Sequence, residues 1–231
     1  MKKYIFLFII MIISIMIVGC LGEEANKEQN SNKFKEEYES LNNKTAYNDK
    51  TYLELAIPED NPIKYSDADE VINIIENESG VIYFGYPECP WCRSAIPSLL
   101  NAAKEAGIKT IYYMNLKEQR DVKTIDANGK IIEEKEASEE YKKLLKALDK
   151  YLNDYVIEDV KGNKINTNTK RIYVPLVVFV KNGEVVGIHE DTVESQKDPF
   201  QGLSKAQEEE LTLIYLNFMN KVQGNYCDES C

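Results

Sequence analysis

A single histidine, His189, stands in this chain of 231 residues. A Cys–His hydrolytic dyad is therefore excluded unless that one side chain falls beside a cysteine, and its place at the end of an apolar run reads as an ordinary surface position. A basic patch is missing as well: 28 Lys and Arg face 39 Asp and Glu, a formal charge of −11. An acidic surface repels nucleic-acid phosphates and anionic headgroups, so nucleic acid is not an expected partner. The longest apolar run, Tyr4 to Val18, falls short of the roughly 20 residues needed to cross a bilayer. Cysteines are few, five in all, and odd in number.

The apolar run follows Lys2 and Lys3, the pattern of an export signal. It ends in Ile17-Val18-Gly19-Cys20, which resembles the lipobox of bacterial lipoproteins. That resemblance implies removal of residues 1–19 and a lipid on Cys20, placing the protein at the cell membrane on the extracytoplasmic face. Several acyl chains on one cysteine would anchor it firmly. Loss of Lys2 and Lys3 would take the charge from −11 to −13. With Cys20 lipidated, four cysteines remain in two close pairs, Cys89 with Cys92 and Cys227 with Cys231. In an oxidising compartment such pairs form disulfides or exchange them.

Residues 23–50 are rich in Glu, Asn and Lys and poor in aliphatics, the composition of a chain that cannot offset its ordering entropy by burial. Residues 20–50 are thus expected to form a lipidated, flexible tether of roughly 30 Å, although Phe34, Tyr38 and Leu41 have the spacing of a short helix. Residues 51–231 suit one domain.

Within it, Ser66 and Asp69 suggest a capping box opening a helix over 66–78, and 81–86 is a short strand of β-formers. A helix over 93–107, interrupted early by Pro97 and stopped at Gly107, follows the Cys-Pro-Trp-Cys stretch. A strand at 109–116 completes a βαβ unit. Residues 117–170 are more polar and read as an insertion, with turns at 126–130 and 161–164. Between the turns lies an amphipathic helix whose apolar stripe is Tyr141, Leu144, Leu145, Leu148 and Leu152. Residues 171–190 form a hairpin through Asn182-Gly183, entered by Pro175. A helix over 204–224, capped by Ser204 and Gln207, precedes a cysteine-containing tail, 225–231.

In order, these elements resemble the thioredoxin fold: an α/β architecture with a mixed central sheet flanked by helices, here carrying a helical and hairpin insertion. The specific parts are Tyr83 to Leu99, with its Cys-x-x-Cys, and Tyr173 to Gly187, similar to the Val-Pro and Asn-Gly-Glu pattern of thioredoxins. The whole is similar to thioredoxin-like lipoproteins and bacteriocin-transport-accessory-type proteins of Gram-positive bacteria. The resemblance implies that Pro175 is cis and lies against the cysteines. Thioredoxins carry a buried Asp six residues ahead of the first cysteine; here Tyr83 holds that position.

Thiol–disulfide exchange needs one reachable thiolate and a second thiol to resolve the mixed disulfide. Cys89 at a helix start receives backbone N–H groups and the positive end of the dipole, a setting that stabilises negative charge on sulfur. Pro90 suits the first helical position, and Cys92 lies one turn on as the resolving thiol. Glu88 opposes the thiolate, while Trp91 and Pro87 supply an apolar rim and Val174-Pro175 position a substrate chain. The expected activity is that of a monomeric thiol–disulfide oxidoreductase. Its only prosthetic element is the redox-active disulfide, its partners are protein thiols and disulfides, and its redox partner is unidentified. Other readings stay open: a structural Cys89–Cys92 bridge, a zinc site on Cys89, Cys92, Cys227 and Cys231, a copper relay through the thiols, and a non-catalytic accessory lipoprotein on the same fold. Cys227 and Cys231, with Asp228 and Glu229 between them, are expected to form a disulfide.

Overall fold

The computed structural model describes residues 25–46, 49–126 and 128–224. Helix α1 occupies described residues 25–39. This differs from the expected flexible tether through residue 50. The mean composition of the segment is polar, but Phe34 and Tyr38, four residues apart, fall on one face and are fully buried. Lys33–Glu37 and Lys35–Glu39 pairs flank that face, and Lys35 and Glu39 also hydrogen-bond the Ile57 backbone. The folded unit therefore begins well before residue 51.

Beyond a Thr45–Thr51 bridge, the chain enters β1 (Ile63–Tyr65), α2 (Ala68–Asn77), β2 (Gly80–Gly85), α3 (Pro90–Ala106) and β3 (Ile111–Asn115). The start of α2 departs from expectation: Asp67, not Ser66, is its N-cap, accepting from the Glu70 N–H at 2.9 Å, while the Ser66 hydroxyl donates to the Lys64 carbonyl. Pro97 removes the N–H that would meet the Arg93 carbonyl, yet α3 runs on past it to Gly107, a left-handed cap at φ 71°.

Between β3 and β8 the chain forms one hairpin, β4 (Val122–Ile125) with β5 (Ile131–Lys135), then α4 (Glu139–Leu148) and a second hairpin, β6 (Asn153–Glu158) with β7 (Lys164–Arg171). The α4 stripe packs inward: Tyr141, Leu144 and Leu148 are fully buried, and the Tyr141 hydroxyl accepts from the Ile172 N–H at 3.0 Å. Then come β8 (Leu176–Lys181), β9 (Glu184–Glu190) and α5 (Lys205–Gln223). The β8–β9 turn is the two-residue kind with both central φ positive, 51° at Asn182 and 75° at Gly183, which is why Asn-Gly marks it. The Ser204–Gln207 capping box is formed at the head of α5.

The architecture is α/β. The main sheet has the order β1-β3-β2-β8-β9, with β1, β3 and β2 parallel and β8 and β9 antiparallel. Successive residues of a strand point to opposite faces, and the sequence uses both. Val81, Tyr83, Val177 and Phe179 pack with α1, α3 and α5. Ile82, Phe84, Leu176 and Val178 pack with α2 and α4. Among the described residues no helix is long and apolar enough to cross a membrane. The expected leader, Cys20 and the Cys227–Cys231 pair lie outside the described residues.

Candidate active site

The C-terminal end of β2 passes through Tyr86, Pro87 and Glu88 into α3, and Cys89 is the N-cap of that helix. Its extended backbone (φ −78°, ψ 114°) lets its sulfur accept the Cys92 N–H at 3.2 Å, the place a Ser or Asp oxygen ordinarily fills. Pro90 holds the first helical position, where no donor is lost. Both cysteines are free thiols. Cys89 keeps a narrow opening, 5% of its surface, whereas Cys92 is fully enclosed. Cys89 is thus far less exposed than the reachable thiolate expected from the sequence. The peptide Val174–Pro175 is cis, and the Cys89 thiol donates to the Val174 carbonyl at 3.6 Å. Two stretches 85 residues apart therefore meet at one sulfur.

Burial pushes the Cys92 thiol well above its ordinary value, and the adjoining Cys89 sulfur adds to that. The nearby Tyr86 backbone and Tyr83 hydroxyl act in the opposite direction. Tyr83 is itself fully buried. Its hydroxyl lies 3.3 Å from that of Tyr38 on α1, and its ring stacks on Tyr113 at 5.4 Å, its partner in the β2–β3 register. Burial raises all three phenols, so they are neutral donors at any physiological pH.

Arg93, next to Cys92, is completely buried. Its guanidinium donates to the Tyr38 carbonyl at 2.7 Å, the Asn42 Oδ1 at 2.8 Å and the Leu53 carbonyl. These neutral acceptors tie the end of α1 and the following loop to the helix that carries the cysteines. Burial lowers the Arg93 pKa, in line with the cost of holding a cation away from water.

At the rim, Glu88 pairs with Lys117 at 2.6 Å, which offsets the repulsion expected between Glu88 and a thiolate. The Arg120 guanidinium donates to the Tyr86 hydroxyl at 2.9 Å and lies over its ring. Trp91, Pro90 and Val174 are half-buried, and Pro87 and Pro175 are buried. His189 is half-buried, edge-on to Tyr215, with Nε2 2.8 Å from the Thr192 carbonyl. Burial lowers its pKa and so favours the neutral imidazole.

Every site residue expected between 87 and 175 is thus gathered around one helix N-terminus. Sequence reasoning missed Tyr38 and Arg93; the only signal for the former was its helical spacing from Phe34. No family model matches this chain, and no curated protein matches it either. The arrangement can present one sulfur at a helix start and keep a second, protonated sulfur behind it.

Proposed function

We propose that this protein is a lipid-anchored, extracytoplasmic thiol–disulfide oxidoreductase on a thioredoxin-like fold, with residues 117–170 inserted into it. The single observation carrying the proposal is the placement of Cys89 as N-cap of α3, touching Val174, with Cys92 enclosed one turn behind. The sheet order and the cis Val174–Pro175 peptide are compatible with that fold.

In the reductive direction the Cys89 thiolate attacks one sulfur of a substrate disulfide. A mixed disulfide forms and the first substrate thiolate departs. Cys92 then loses its proton and attacks the Cys89 sulfur. The Cys89–Cys92 disulfide forms, the second substrate sulfur leaves, and the proton from Cys92 ends on that departing thiol. Two electrons pass from the pair to the substrate, and the reverse sequence oxidises it. Val174 and Pro175 present backbone beside the reacting sulfur, while Trp91 and Pro87 border the approach.

With the lipid on Cys20, no more than about 18 Å of extended chain separates it from residue 25, so the domain works close to the membrane. Insulin reduction or refolding of a reduced ribonuclease tests the reading. The wild-type protein is expected to catalyse one or both, and a Cys89→Ser protein as active as wild type would refute it.

A second reading, a non-catalytic accessory or binding lipoprotein, draws on the near-complete burial of Cys89. It predicts that Cys89 and Cys92 can both be serine without loss of function.

A further inference from the structure

Cys92 lies fully enclosed, so a thiolate formed there during exchange must be held by protein donors alone. The donors near it are few. Its own N–H is engaged by the Cys89 sulfur. The guanidinium of neighbouring Arg93 is turned toward Tyr38, Asn42 and Leu53. What remains is the Tyr86 backbone, whose carbonyl receives the Cys89 N–H at 3.2 Å, and the Tyr83 hydroxyl, both near enough to favour negative charge on the Cys92 sulfur.

The chain makes special room for that phenol. Gly85 lies two residues beyond Tyr83 on the same strand face, and a Cβ there would stand 2.5 Å from the Tyr83 hydroxyl oxygen and 2.7 Å from the ring carbon bearing it. Only glycine lets the ring lie along β2 toward the cysteine end. A hydroxyl has one proton to donate and lone pairs to accept. Tyr83 can donate to sulfur while accepting from Tyr38, 3.3 Å away, and such a chain strengthens each member.

We propose that Tyr83 is a catalytic residue for the resolving step: its hydroxyl, backed by Tyr38 as a positioning residue, donates to the Cys92 sulfur as that sulfur turns thiolate and attacks Cys89. The inference rests on the oxidoreductase reading and deepens it. The bond that forms is Cys89–Cys92 and the bond that breaks is Cys89 to the substrate sulfur. Tyr83 keeps its own proton throughout, and the proton from Cys92 leaves on the substrate thiol. Helix α1 thereby supplies a working part of the site through Tyr38.

Ellman's reagent separates the two steps in the mature protein with Cys227 and Cys231 changed to serine. One coloured thiol is released when Cys89 attacks, and a second when Cys92 resolves the mixed disulfide. A hydrogen bond to a charged group supports an effect of about ten- to a hundredfold. Tyr83→Phe is expected to slow the second release by that factor, leave the first unchanged, and move the pH profile of the second step upward. Tyr38→Phe should act in the same direction by about threefold, a fraction of a neutral hydrogen bond. Tyr113→Phe, whose hydroxyl is buried without a hydrogen-bond partner, should leave both steps unchanged, which separates a hydroxyl effect from disturbed packing. An unaltered second release in Tyr83→Phe overturns the inference while sparing the oxidoreductase reading. Should that variant not fold, an unaltered second release in Tyr38→Phe does the same. A wild-type protein that releases one thiol only overturns both.

Discussion

On the face of the main sheet covered by α2 and α4, the packing is mostly aliphatic: Val71, Ile74, Ile82, Leu144, Leu148 and Val178. On the face under α1, α3 and α5, aromatic rings with polar tips replace many of them: Tyr38, Tyr83, Tyr113 and Tyr215 with Phe34 and Phe179. Aliphatic side chains exclude water and offer nothing else. Buried phenols exclude water equally well and bring hydroxyls into a space where each hydrogen bond counts for more. Both cysteines belong to α3, on the aromatic side. The difference separates a face that holds the sheet together from one that also encloses the two sulfurs.

The largest expected effect falls on the aromatic side without loss of stability. Cys89→Ser should abolish exchange activity while its urea midpoint stays near that of wild type, since serine caps a helix as well as cysteine does. The converse belongs to the aliphatic side. Ile82→Ala should cost about 2–5 kcal/mol in urea unfolding, while the thiol-release rates of the protein that remains folded stay unchanged. Arg93→Met would blur the division: it strands buried carbonyls at Tyr38 and Leu53, at about 1–3 kcal/mol each, and unties α1, so stability and the second thiol release should fall together. Gly85→Ala is a finer probe. Its methyl displaces the Tyr83 hydroxyl, so the second release should slow while the first does not.

The smallest effect concerns pH. Burial raises the pKa of half-buried Glu190, partly offset by its hydrogen bond from Asn153. A carboxyl whose folded value is raised contributes stability that is whole below its unfolded value near 4.3 and is lost as pH climbs through the folded value. Glu190→Gln should therefore melt slightly higher than wild type at pH 7 and at the same temperature at pH 4, as differential scanning calorimetry can show.

Much of this was legible because short-range rules carried it. The Asn182-Gly183 turn, the Ser204–Gln207 box and the Gly107 stop are decided within a few residues, and so was the helix start at Cys89. Three-residue β1 was too short to leave a periodic trace. Helix α1 was hidden by averaging: its mean polarity spoke for a tether, while its stability comes from Phe34 and Tyr38 meeting Tyr113. Arg93 gave no signal, for its partners are 40 to 55 residues away in sequence, and a charged residue at a helix start ordinarily faces water. Tyr83 could be noted from its spacing to Cys89; its tie to Tyr38 needed the tertiary fold.

A redox titration of the Cys89–Cys92 pair bears most directly on the whole. The protein is equilibrated in glutathione or dithiothreitol buffers of graded potential, its free thiols are trapped by alkylation, and the peptide holding both cysteines is weighed. The account predicts one reversible two-electron transition confined to this pair, between roughly −270 and −120 mV. A pair that stays fully reduced, or fully bridged, across that whole range would contradict it.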